Sequence, residues 1–312
     1  RDSEDVKVTD MLLKCFELAS AKKSIDELFD KIKDRYNQII KDLNVDISLD
    51  EDFANIRFAI LNHVGRDYIA SRGEYLNSKI FAAFLGFPFI DAAEGIFFFE
   101  NGAFDSERTN EAMRLILAQH EYAVIPGFYG SMPNGTIKTF SRGGSDITGS
   151  IVARATNADL YENWTDVSGM LMADPRFVDN PKPIDEITYA ELRELSYMGA
   201  SVLHEDAIFP VRKAGIPINI RNTNRPEDKG TMIVPRSMGT SENVITGIAG
   251  KKGFTAIFVE KDMMNSEVGF GRKVLEVIEN HHICFEHLPS GIDTMSVVVN
   301  SNDIRDIKGN IT

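Results

Sequence analysis

The chain has 312 residues, which suggests two domains because domains commonly contain about 100 to 200 residues. Its 47 acidic and 34 basic residues give a net charge of −13, and no lysine and arginine cluster of the kind that follows a phosphate backbone is present, so nucleic acid is a poor candidate partner. The longest apolar runs stop well short of the roughly 20 residues that a membrane helix needs, so we expect a soluble, globular protein without a membrane partner.

The first third of the chain has the periodicity of helices. Between Ile25 and Leu43 the apolar residues recur at intervals of three and four, which predicts a helix with one buried face. Ser24 and Glu27 have the spacing of a capping box, in which each side chain satisfies a free backbone N–H group. We therefore predict that this helix begins with a Ser24 cap.

A second helical stretch extends from about residue 52 to residue 85. Gly65 and Gly73 are the predicted breaks within it, because glycine is common where helices end. On this interpretation residues 71–74, with the sequence SRGE, open a new helix. Glu74 then lies in the first turn, where an acidic side chain interacts favourably with the helix dipole.

The middle of the chain alternates between strands and helices. The predicted elements are strands at 87–91 and 95–99, a helix at 106–120, strands at 122–130 and 136–141 joined by a turn at 133–135, a helix after Gly144, a strand at 158–167, a helix at 189–200 and a strand at 216–223. Such alternation indicates an α/β fold with a mostly parallel sheet covered on both faces.

A polar segment, residues 235–243, marks a predicted domain boundary. The elements predicted beyond it are a strand at 254–260, a helix at 269–282, strands at 283–288 and 294–299, and a helix start at 301–306. This βαββα order is typical of the first part of a ferredoxin-like α+β sandwich. We therefore predict a first domain over residues 1–236 and a second, incomplete one over residues 241–312.

A glycine turn carries the clearest chemical signal. Gly143 and Gly144 precede a predicted helix start, where several unpaired N–H groups can converge on an anion, and Arg142 adds a positive charge. The alternative is that Ser145 or Asp146 simply caps the helix. Asp146 would repel a bound phosphate unless Mg²⁺ or a basic group compensates, and that combination is typical of phosphoryl transfer.

A second group of polar residues follows about twenty positions later. Thr165 and Asp166 end a predicted strand, and open α/β sheets bind ligands at the carboxyl ends of their strands. Asp174 and Arg176 lie on the next predicted loop. Trp164 either belongs to this group or packs in the core.

Several other kinds of site are excluded. The sequence has no GxxxxGK(S/T), HExxH or GxSxG motif and no GxGxxG after a strand. His281, His282, Cys284 and His287 cluster without a second group that would close a zinc site, so no metal-ligating residue is predicted. Cys15 and Cys284 lie far apart, and we expect two buried thiols in a reducing cytoplasm.

Nine segments occur in one order over nearly the whole chain: VTDMLL, SRGEYLNSKI, IPGFYG, SRGGSDITGSIVA, WTDVSG, ADPR, ELSYMGASVLH, GIPINIRNT and GTMI. With them the sequence resembles the aspartate kinases of the amino-acid kinase superfamily. The resemblance implies ATP-dependent phosphorylation of L-aspartate to 4-phospho-L-aspartate, the entry to lysine, threonine and methionine biosynthesis. It implies a kinase domain at 1–236, with a mainly parallel eight-stranded sheet between helices, and an incomplete ACT regulatory region at 241–312.

The resemblance also implies roles for individual residues. Thr9, Glu74, Arg142 and Ser145 would bind aspartate, Glu74 through the amino group and Arg142 through the α-carboxylate. Arg142 and Asp146 would be the catalytic residues, with Asp146 orienting the lysines that neutralise the phosphates. The residues implied to bind ATP, which Mg²⁺ would accompany, are Gly143, Gly144, Trp164, Thr165, Asp166, Asp174 and Arg176.

An amino-acid effector is implied for the ACT region, with homodimers or homotetramers formed through ACT domains. The candidate effector residues are Met264, Glu267, Phe270, Phe285, Glu286 and Asp293. Lysine is our first choice of effector, because no dehydrogenase half follows in the sequence, and Glu286 and Asp293 would then balance its ε-ammonium. The alternative is that Phe270 and Phe285 are core residues and the acids are simply exposed.

The sequence departs from the family in three places. The N-terminal Lys-Phe-Gly-Gly motif is absent, so we expect its phosphate-binding lysine to precede Arg1 in a longer protein. Ser201 and Leu171 stand where many relatives have lysine and tyrosine. Two alternatives stay open: another phosphotransferase of the superfamily, and a catalytically inactive amino-acid sensor in which only the ACT region functions.

Overall fold

The computed structural model describes residues 6–141, 143–199, 203, 205–237 and 244–305. The chain divides into two compact units, residues 1–249 and 250–312. The described helices of the first unit are α1 (Val8–Ser20), α2 (Asp26–Leu43), α3 (Asp50–Leu61), α4 (Arg66–Leu85), α5 (Ala92–Gly95), α6 (Ser106–Leu117), α7 (Gly144–Thr156), α8 (Tyr189–Tyr197) and α9 (Glu205–Ala214). Its described strands are β1 (Tyr129–Ser131), β2 (Ile137–Thr139), β3 (Tyr161–Thr165), β4 (Met170–Leu171), β5 (Pro183–Ile184), β6 (Glu186–Thr188), β7 (Ile218–Asn222) and β8 (Thr231–Val234).

The first four helices pack around a core of their own. Leu12, Phe29, Ile32, Phe53 and Leu76, contributed by all four helices, are each at most 2% exposed. The predicted buried face of α2 is therefore confirmed, and it contributes to the hydrophobic cluster that holds α1 and α4 together.

The predicted capping box is wrong. Ile25 is the N-cap of α2, and its side chain makes no capping hydrogen bond. The Ser24 hydroxyl instead accepts a hydrogen bond from the Asp26 N–H at 3.1 Å and donates to the Asp26 carboxylate at 2.7 Å. This local turn uses the serine oxygen that a capping box would need.

Gly65 precedes α4, as predicted, but Gly73 does not break a helix. α4 runs unbroken from Arg66 to Leu85, so Glu74 lies in the middle of a helix and not in a first turn. α1 packs against this part of α4, and a Cβ atom on Gly73 would make an ordinary 3.4 Å contact with Oγ1 of Thr9. Glycine inside a helix costs only about 0.5 to 1 kcal/mol relative to alanine, a cost that the packing of α4 on its neighbours can offset.

The α/β alternation is confirmed, but the strands within the described residues do not form one eight-stranded sheet. The sheet order is β3-β7-β8-β6, with β3 and β7 parallel, β6 and β8 parallel, and β7 and β8 antiparallel. The short link between β7 and β8 permits only an antiparallel pair, because a parallel crossover needs a dozen or more residues. Parallel bridges from Phe89 to Val124 and from Phe97 to Ser131 mark the segments predicted at 87–91 and 95–99.

The second unit contains β9 (Phe254–Glu260), α10 (Phe270–Asn280), β10 (Phe285–His287) and β11 (Thr294–Asn300). Its described strands form an antiparallel sheet in the order β10-β11-β9. Ile278 of α10 packs with Val297 and Val299 of β11. The predicted strand, helix and two strands are confirmed, whereas residues 301–305 form turns and not a helix.

The two thiols differ in burial. Cys15 is buried, and desolvation raises its pKa to about 11. Cys284 is exposed, so the prediction that both are buried is wrong for this residue, which immediately precedes the edge strand β10. Among the helices described, none is long and apolar enough to cross a membrane.

Candidate functional site

The glycine turn leads directly into α7. Gly143 adopts the left-handed conformation, with φ 55° and ψ 25°, and Gly144 is the first residue of the helix. A Cβ atom on Gly144 would lie 2.5 Å from Cβ of Phe128, so only glycine fits there. Gly143 is the N-cap of α7, and among the described residues neither Ser145 nor Asp146 accepts a capping hydrogen bond through its side chain, which does not favour the simple capping interpretation. The first N–H groups of α7 have no intrahelical partners, as an anion cradle requires.

Arg142, the predicted clamp for the substrate carboxylate, lies outside the described residues, as does Ser201. Ser145 and Asp146 are placed, and the first is exposed while the second is partly buried. The Ser145 hydroxyl lies against Gly127, where a Cβ atom would come within 2.8 Å of Oγ. The loop before β1 therefore passes directly over the start of α7.

Asp146 is held by a residue that the sequence interpretation missed. Nδ2 of Asn163, in β3, donates to Oδ1 of Asp146 at 2.9 Å and to the Tyr161 hydroxyl at 3.1 Å. The Tyr161 hydroxyl in turn donates to the backbone carbonyl of Asp146 at 3.3 Å. Burial raises the pKa of Tyr161 to about 12, so the hydroxyl keeps its proton at neutral pH. Asp146 is thus fixed to the sheet through its side chain and its backbone.

Thr9 and Glu74, the predicted aspartate-binding residues, lie on the packed helices α1 and α4. The Tyr36 hydroxyl donates to the carbonyl oxygen of Gly73 at 2.8 Å, next to Glu74. Burial raises the pKa of Glu74, because partial desolvation disfavours the ionised form of its side chain. Thr9 therefore lies beside Gly73, the residue that precedes Glu74, and the Glu74 carboxyl group is partly desolvated.

An arginine in an aromatic cage joins α4 to the loop beside α7. Arg72 is 5% exposed, and its guanidinium lies over the rings of Tyr68, Tyr75 and Tyr129 at 4.5, 4.3 and 5.2 Å. Its Nε and one terminal nitrogen donate to the Ser71 hydroxyl at 3.1 and 3.0 Å. Cation–π contacts of this kind fix the helix against β1.

The loop before β1 completes the connection to α7. The Phe128 N–H donates to Oγ1 of Thr148 at 3.1 Å, and the Tyr129 hydroxyl donates to Asp91 at 2.7 Å. Phe128 has a φ of 64°, a conformation that bulky residues rarely adopt and that persists only where the surroundings enforce it. Contacts therefore run continuously from the helix of Glu74 to the helix of Asp146.

The carboxyl end of β3 is tied to the loop after β7. The Thr223 N–H and hydroxyl both donate to the carbonyl oxygen of Thr165, at 2.8 and 2.9 Å. The Thr165 hydroxyl lies 3.3 Å from the Asp166 carboxylate, which is exposed. Thr165 and Asn163 share one face of β3, because side chains alternate along a strand. Thr165 thus lies on the face that contacts Asp146.

Trp164 lies on the opposite face of β3 from Asn163 and Asp146. It is 44% exposed, its Nε1 donates to Glu162 at 3.2 Å, and the Arg221 guanidinium lies 4.9 Å from its ring. Trp164 is therefore neither a core residue nor a neighbour of Asp146.

Asp174 and Arg176 are paired with each other. Arg176 Nε donates to both carboxylate oxygens, at 3.0 and 2.9 Å, and the Arg176 N–H donates to Oδ1 at 2.8 Å. These hydrogen bonds lower the pKa of Asp174. The Arg176 side chain is 79% exposed, so it can turn to a bound anion at little cost.

A cavity of about 460 Å³ lies beside the same turn. Its lining residues are Phe104, Phe140, Ser141, Ile147, Arg193, Ile208, Phe209, Pro210 and Arg212. Ser141 and Ile147 flank the segment from Arg142 to Asp146, so the cavity borders the glycine turn without including Asp146.

The candidate effector residues in the second unit fall into two groups. β11 pairs Thr294 with Glu260 at one end and Val299 with Thr255 at the other, and Phe285 pairs with Val299. Five residues along a strand span about 17 Å. Met264, Glu267, Phe270 and Asp293 therefore lie at one end of the sheet, and Phe285 and Glu286 at the other.

Glu267 already has two cationic partners. The ammonium groups of Lys261 and Lys273 both contact its carboxylate, the second at 2.6 Å. These hydrogen bonds lower the pKa of Glu267 to about 2. Lys261 also lies 5.4 Å from the ring of Phe270, and its N–H donates to the carbonyl oxygen of Asp293 at 2.9 Å. The negative charge of Glu267 is thus balanced within the chain.

Comparison with known proteins gives concordant results. A model of the amino acid kinase family matches residues 8–222. Aspartokinase 3 of Bacillus subtilis is 39% identical over 311 residues, which cover 95% of this chain and 68% of that protein. The crystal structure of Clostridium acetobutylicum aspartate kinase is 51% identical with a TM-score of 0.87, covering all of this chain and 72% of that one.

Two structures of Escherichia coli aspartokinase III share the fold at lower identity. One, in complex with lysine and aspartate, is 23% identical with a TM-score of 0.65, covering 95% of this chain and 71% of that one. The other, in complex with aspartate and ADP, is 21% identical with a TM-score of 0.63 and covers 96% and 71%.

Proposed function

Because the chain belongs to the amino acid kinase family and, within it, to the aspartate kinases, we propose that it transfers the γ-phosphoryl group of ATP to the side-chain carboxylate of L-aspartate. The product is 4-phospho-L-aspartate, the entry to lysine, threonine and methionine biosynthesis. The observation that carries this proposal is the glycine turn at the start of α7, with uncapped N–H groups beside an Asp146 carboxylate that Asn163 holds in place.

The chemistry requires positioning and charge neutralisation more than covalent help. A carboxylate oxygen of aspartate forms a bond to the γ-phosphorus while the bond to the β,γ-bridging oxygen breaks, and ADP leaves with that electron pair. The carboxylate is already ionised, so no general base is needed. The N–H groups around Gly143 and Gly144 suit the phosphate oxygens, and Asp146 orients the basic groups that neutralise them.

The acceptor amino acid is proposed to lie against α1 and α4. The ammonium of aspartate is proposed to pair with the partly desolvated Glu74 carboxylate, and Thr9, which contacts the neighbouring Gly73, is proposed to contribute its hydroxyl. Arg142 is proposed to bind the α-carboxylate of aspartate through two parallel hydrogen bonds from its guanidinium. Ser145 is proposed to contact the same substrate.

The nucleotide is proposed to bind at the carboxyl end of β3. Thr165 and Asp166 lie on or beside the strand end, and Asp174 and Arg176 form an ion pair on the following loop, with the Arg176 side chain exposed. No group of three His, Cys, Asp or Glu side chains in the described part of the chain could hold a metal ion. Mg²⁺ therefore fits best as an ion that arrives with the phosphates, since it commonly keeps few protein ligands. Trp164, on the opposite face of β3, is left out of this proposal.

We propose lysine as a feedback inhibitor that binds the second unit, in a cytoplasmic enzyme that forms homodimers or homotetramers through ACT domains. Asp293, which is exposed and lies at the end of the sheet next to Met264 and Phe270, is the acidic group best placed to balance the ε-ammonium. Glu267 is less suited to that task, because two lysines of the chain already contact it.

ADP release by the full-length natural protein tests the proposed function. With Mg²⁺ and ATP, we expect release that depends on L-aspartate and does not occur with L-glutamate, N-acetylglutamate or UMP. A Glu74→Gln variant should raise the KM for aspartate more than it changes the KM for ATP. Release with another acceptor would identify a different phosphotransferase, and lysine binding without any ADP release would identify a sensor.

A further inference from the structure

We propose that Asn163 is a positioning residue of the phosphoryl-transfer site: its side-chain amide holds the Asp146 carboxylate in the orientation that the reaction uses. This inference rests on the proposed function. Asn163 was not singled out by any sequence motif, and it contacts Asp146 only because β3 and α7 pack together in the fold.

The contact is buried and well formed. Asn163 is 8% exposed, and its Nδ2 lies 2.9 Å from Oδ1 of Asp146. A charge-assisted hydrogen bond is stronger than a neutral one, and water has little access to compete for it. The amide therefore limits the rotation of the Asp146 side chain far more than an exposed partner would.

The orientation of the amide follows from the chemistry of its neighbours. An ionised carboxylate only accepts hydrogen bonds, so the nitrogen of Asn163, and not its oxygen, must face Asp146. The Tyr161 hydroxyl accepts from the same nitrogen at 3.1 Å and uses its own proton for the backbone carbonyl of Asp146. Each of the three hydrogen bonds in this group therefore has one defined donor and one defined acceptor.

The hydrogen bond from Asn163 uses only one of the two carboxylate oxygens of Asp146. Asn163 contacts only Oδ1 of Asp146, and no hydrogen bond within the described part of the chain uses Oδ2, so Oδ2 can meet a basic group or a hydrated ion brought by the nucleotide. A carboxylate fixed at one oxygen presents the other in a constant place, and preorganised groups of this kind need no rearrangement during the reaction. Loss of the amide should therefore lower kcat more than it changes either KM.

A matched control exists on the neighbouring strand. Asn219 of β7 is 6% exposed, and its Nδ2 donates to the carbonyl oxygen of Lys229 at 3.2 Å. It has no hydrogen bond to Asp146, so Asn219→Leu removes a buried amide of similar burial without touching the site. Asn163→Leu and Asn219→Leu can thus be compared for stability and for kinetics.

Steady-state kinetics of the full-length natural protein with Mg²⁺, ATP and L-aspartate test the proposal. We expect Asn163→Leu to lower kcat by about 10- to 100-fold with both KM values within about threefold, and Asn219→Leu to leave kcat within about twofold. Tyr161→Phe, a milder change for the case that Asn163→Leu does not fold, should lower kcat by about 3- to 10-fold. In an Asp146→Ala background, Asn163→Leu should cause no further loss, because both changes remove the same interaction.

Equal kcat values for Asn163→Leu and Asn219→Leu, or a full additional loss in the Asp146→Ala background, would overturn this inference while the proposed function stands. If Asn163→Leu does not fold, an unchanged kcat in Tyr161→Phe would overturn it instead. A wild-type protein that does not phosphorylate aspartate would overturn the proposed function, and this inference with it.

Discussion

Tyr36 and Gly73 join the second and fourth helices: the Tyr36 hydroxyl donates a 2.8 Å hydrogen bond to the carbonyl oxygen of Gly73. Tyr36 is 3% exposed, and the accepting carbonyl immediately precedes Glu74 in α4. A helix carbonyl has a second lone pair beyond its intrahelical bond, so this contact fixes the rotation of α4 at no cost to the helix. It therefore sets the direction in which Glu74 points.

Tyr36→Phe tests that role. We expect a loss of about 1 kcal/mol in the free energy of unfolding, measured with urea, because one buried hydrogen bond disappears. We also expect a higher KM for aspartate. Tyr122→Phe is the control, since Tyr122 is 56% exposed and stacks on Phe87, and it should change neither quantity. Equal effects in both variants would contradict the assignment.

Glu74→Gln should separate stability from binding. Burial raises the pKa of Glu74, so the folded protein holds this proton to higher pH than the unfolded chain does. The contribution of the group to stability is present below its ordinary pKa and is lost as pH rises through the raised value. We therefore expect Glu74→Gln to raise Tm at pH 7 but not below the ordinary glutamate pKa, while the KM for aspartate increases. If the Tm difference between Glu74→Gln and the wild type did not change across this pH range, the burial of the Glu74 carboxylate would be contradicted.

Arg72→Lys should be destabilising although it keeps the charge. The planar guanidinium stacks on three tyrosine rings and binds the Ser71 hydroxyl through two nitrogens, which an ammonium cannot reproduce. We expect a loss of about 1 to 3 kcal/mol in urea unfolding. Arg108→Lys, at an exposed arginine over Phe97, should cost less than about 0.5 kcal/mol. If Arg72→Lys lowered the free energy of unfolding no more than Arg108→Lys does, the three tyrosine rings would not stabilise Arg72 as described.

Gly149→Ala should disturb the hydrogen bonds that hold Asp146 in place, because Gly149 contacts the Tyr161 hydroxyl. A Cβ atom there would lie 2.5 Å from the Tyr161 hydroxyl, so the tyrosine would have to move and lose its bonds to Asn163 and Asp146. We expect a lower kcat despite the better helix propensity of alanine. Gly271→Ala in α10 meets only an ordinary 3.7 Å contact and should stabilise by about 0.5 to 1 kcal/mol. An unchanged kcat in Gly149→Ala would contradict the tight packing of α7 on β3.

Inhibition by lysine should depend on Asp293 more than on Glu267. Lys261 and Lys273 already neutralise Glu267, whereas Asp293 is exposed at the same end of the sheet. We expect Asp293→Asn to weaken inhibition by about fivefold and Glu267→Gln by less than about twofold. Lysine titrations of the aspartate-dependent rate measure both. The reverse order would show that the effector displaces the two lysines from Glu267.

The resemblance and the enzyme class inferred from the ordered segments are confirmed, because these segments encode local features. Gly143 requires a left-handed conformation, and Gly144 a close approach, and both requirements can be inferred from sequence. The periodic helices and the alternating strands are local in the same sense. Each depends on residues a few positions apart along the chain.

The errors and omissions arise where tertiary contacts override local signals. Gly73 has the sequence character of a helix break, yet α1 packs against it and α4 continues. The predicted elements include no helix over α9, which contains Pro210, a residue that disfavours a helix interior. The Asn163 bond to Asp146 joins residues 17 positions apart, and no motif contains both. Such contacts become visible only when the strand and the helix are packed together.

The central claim is tested most directly by ³¹P NMR of the full-length natural protein incubated with ATP, Mg²⁺ and ¹³C-labelled L-aspartate. We predict an acyl phosphate resonance that appears with ADP in equal amounts and couples to the side-chain carboxyl carbon of aspartate, and it should form measurably but much more slowly with an Asp146→Ala variant. ADP and inorganic phosphate without an acyl phosphate, or a phosphoryl group on any other acceptor, would contradict the assignment of this chain as an enzyme that phosphorylates aspartate.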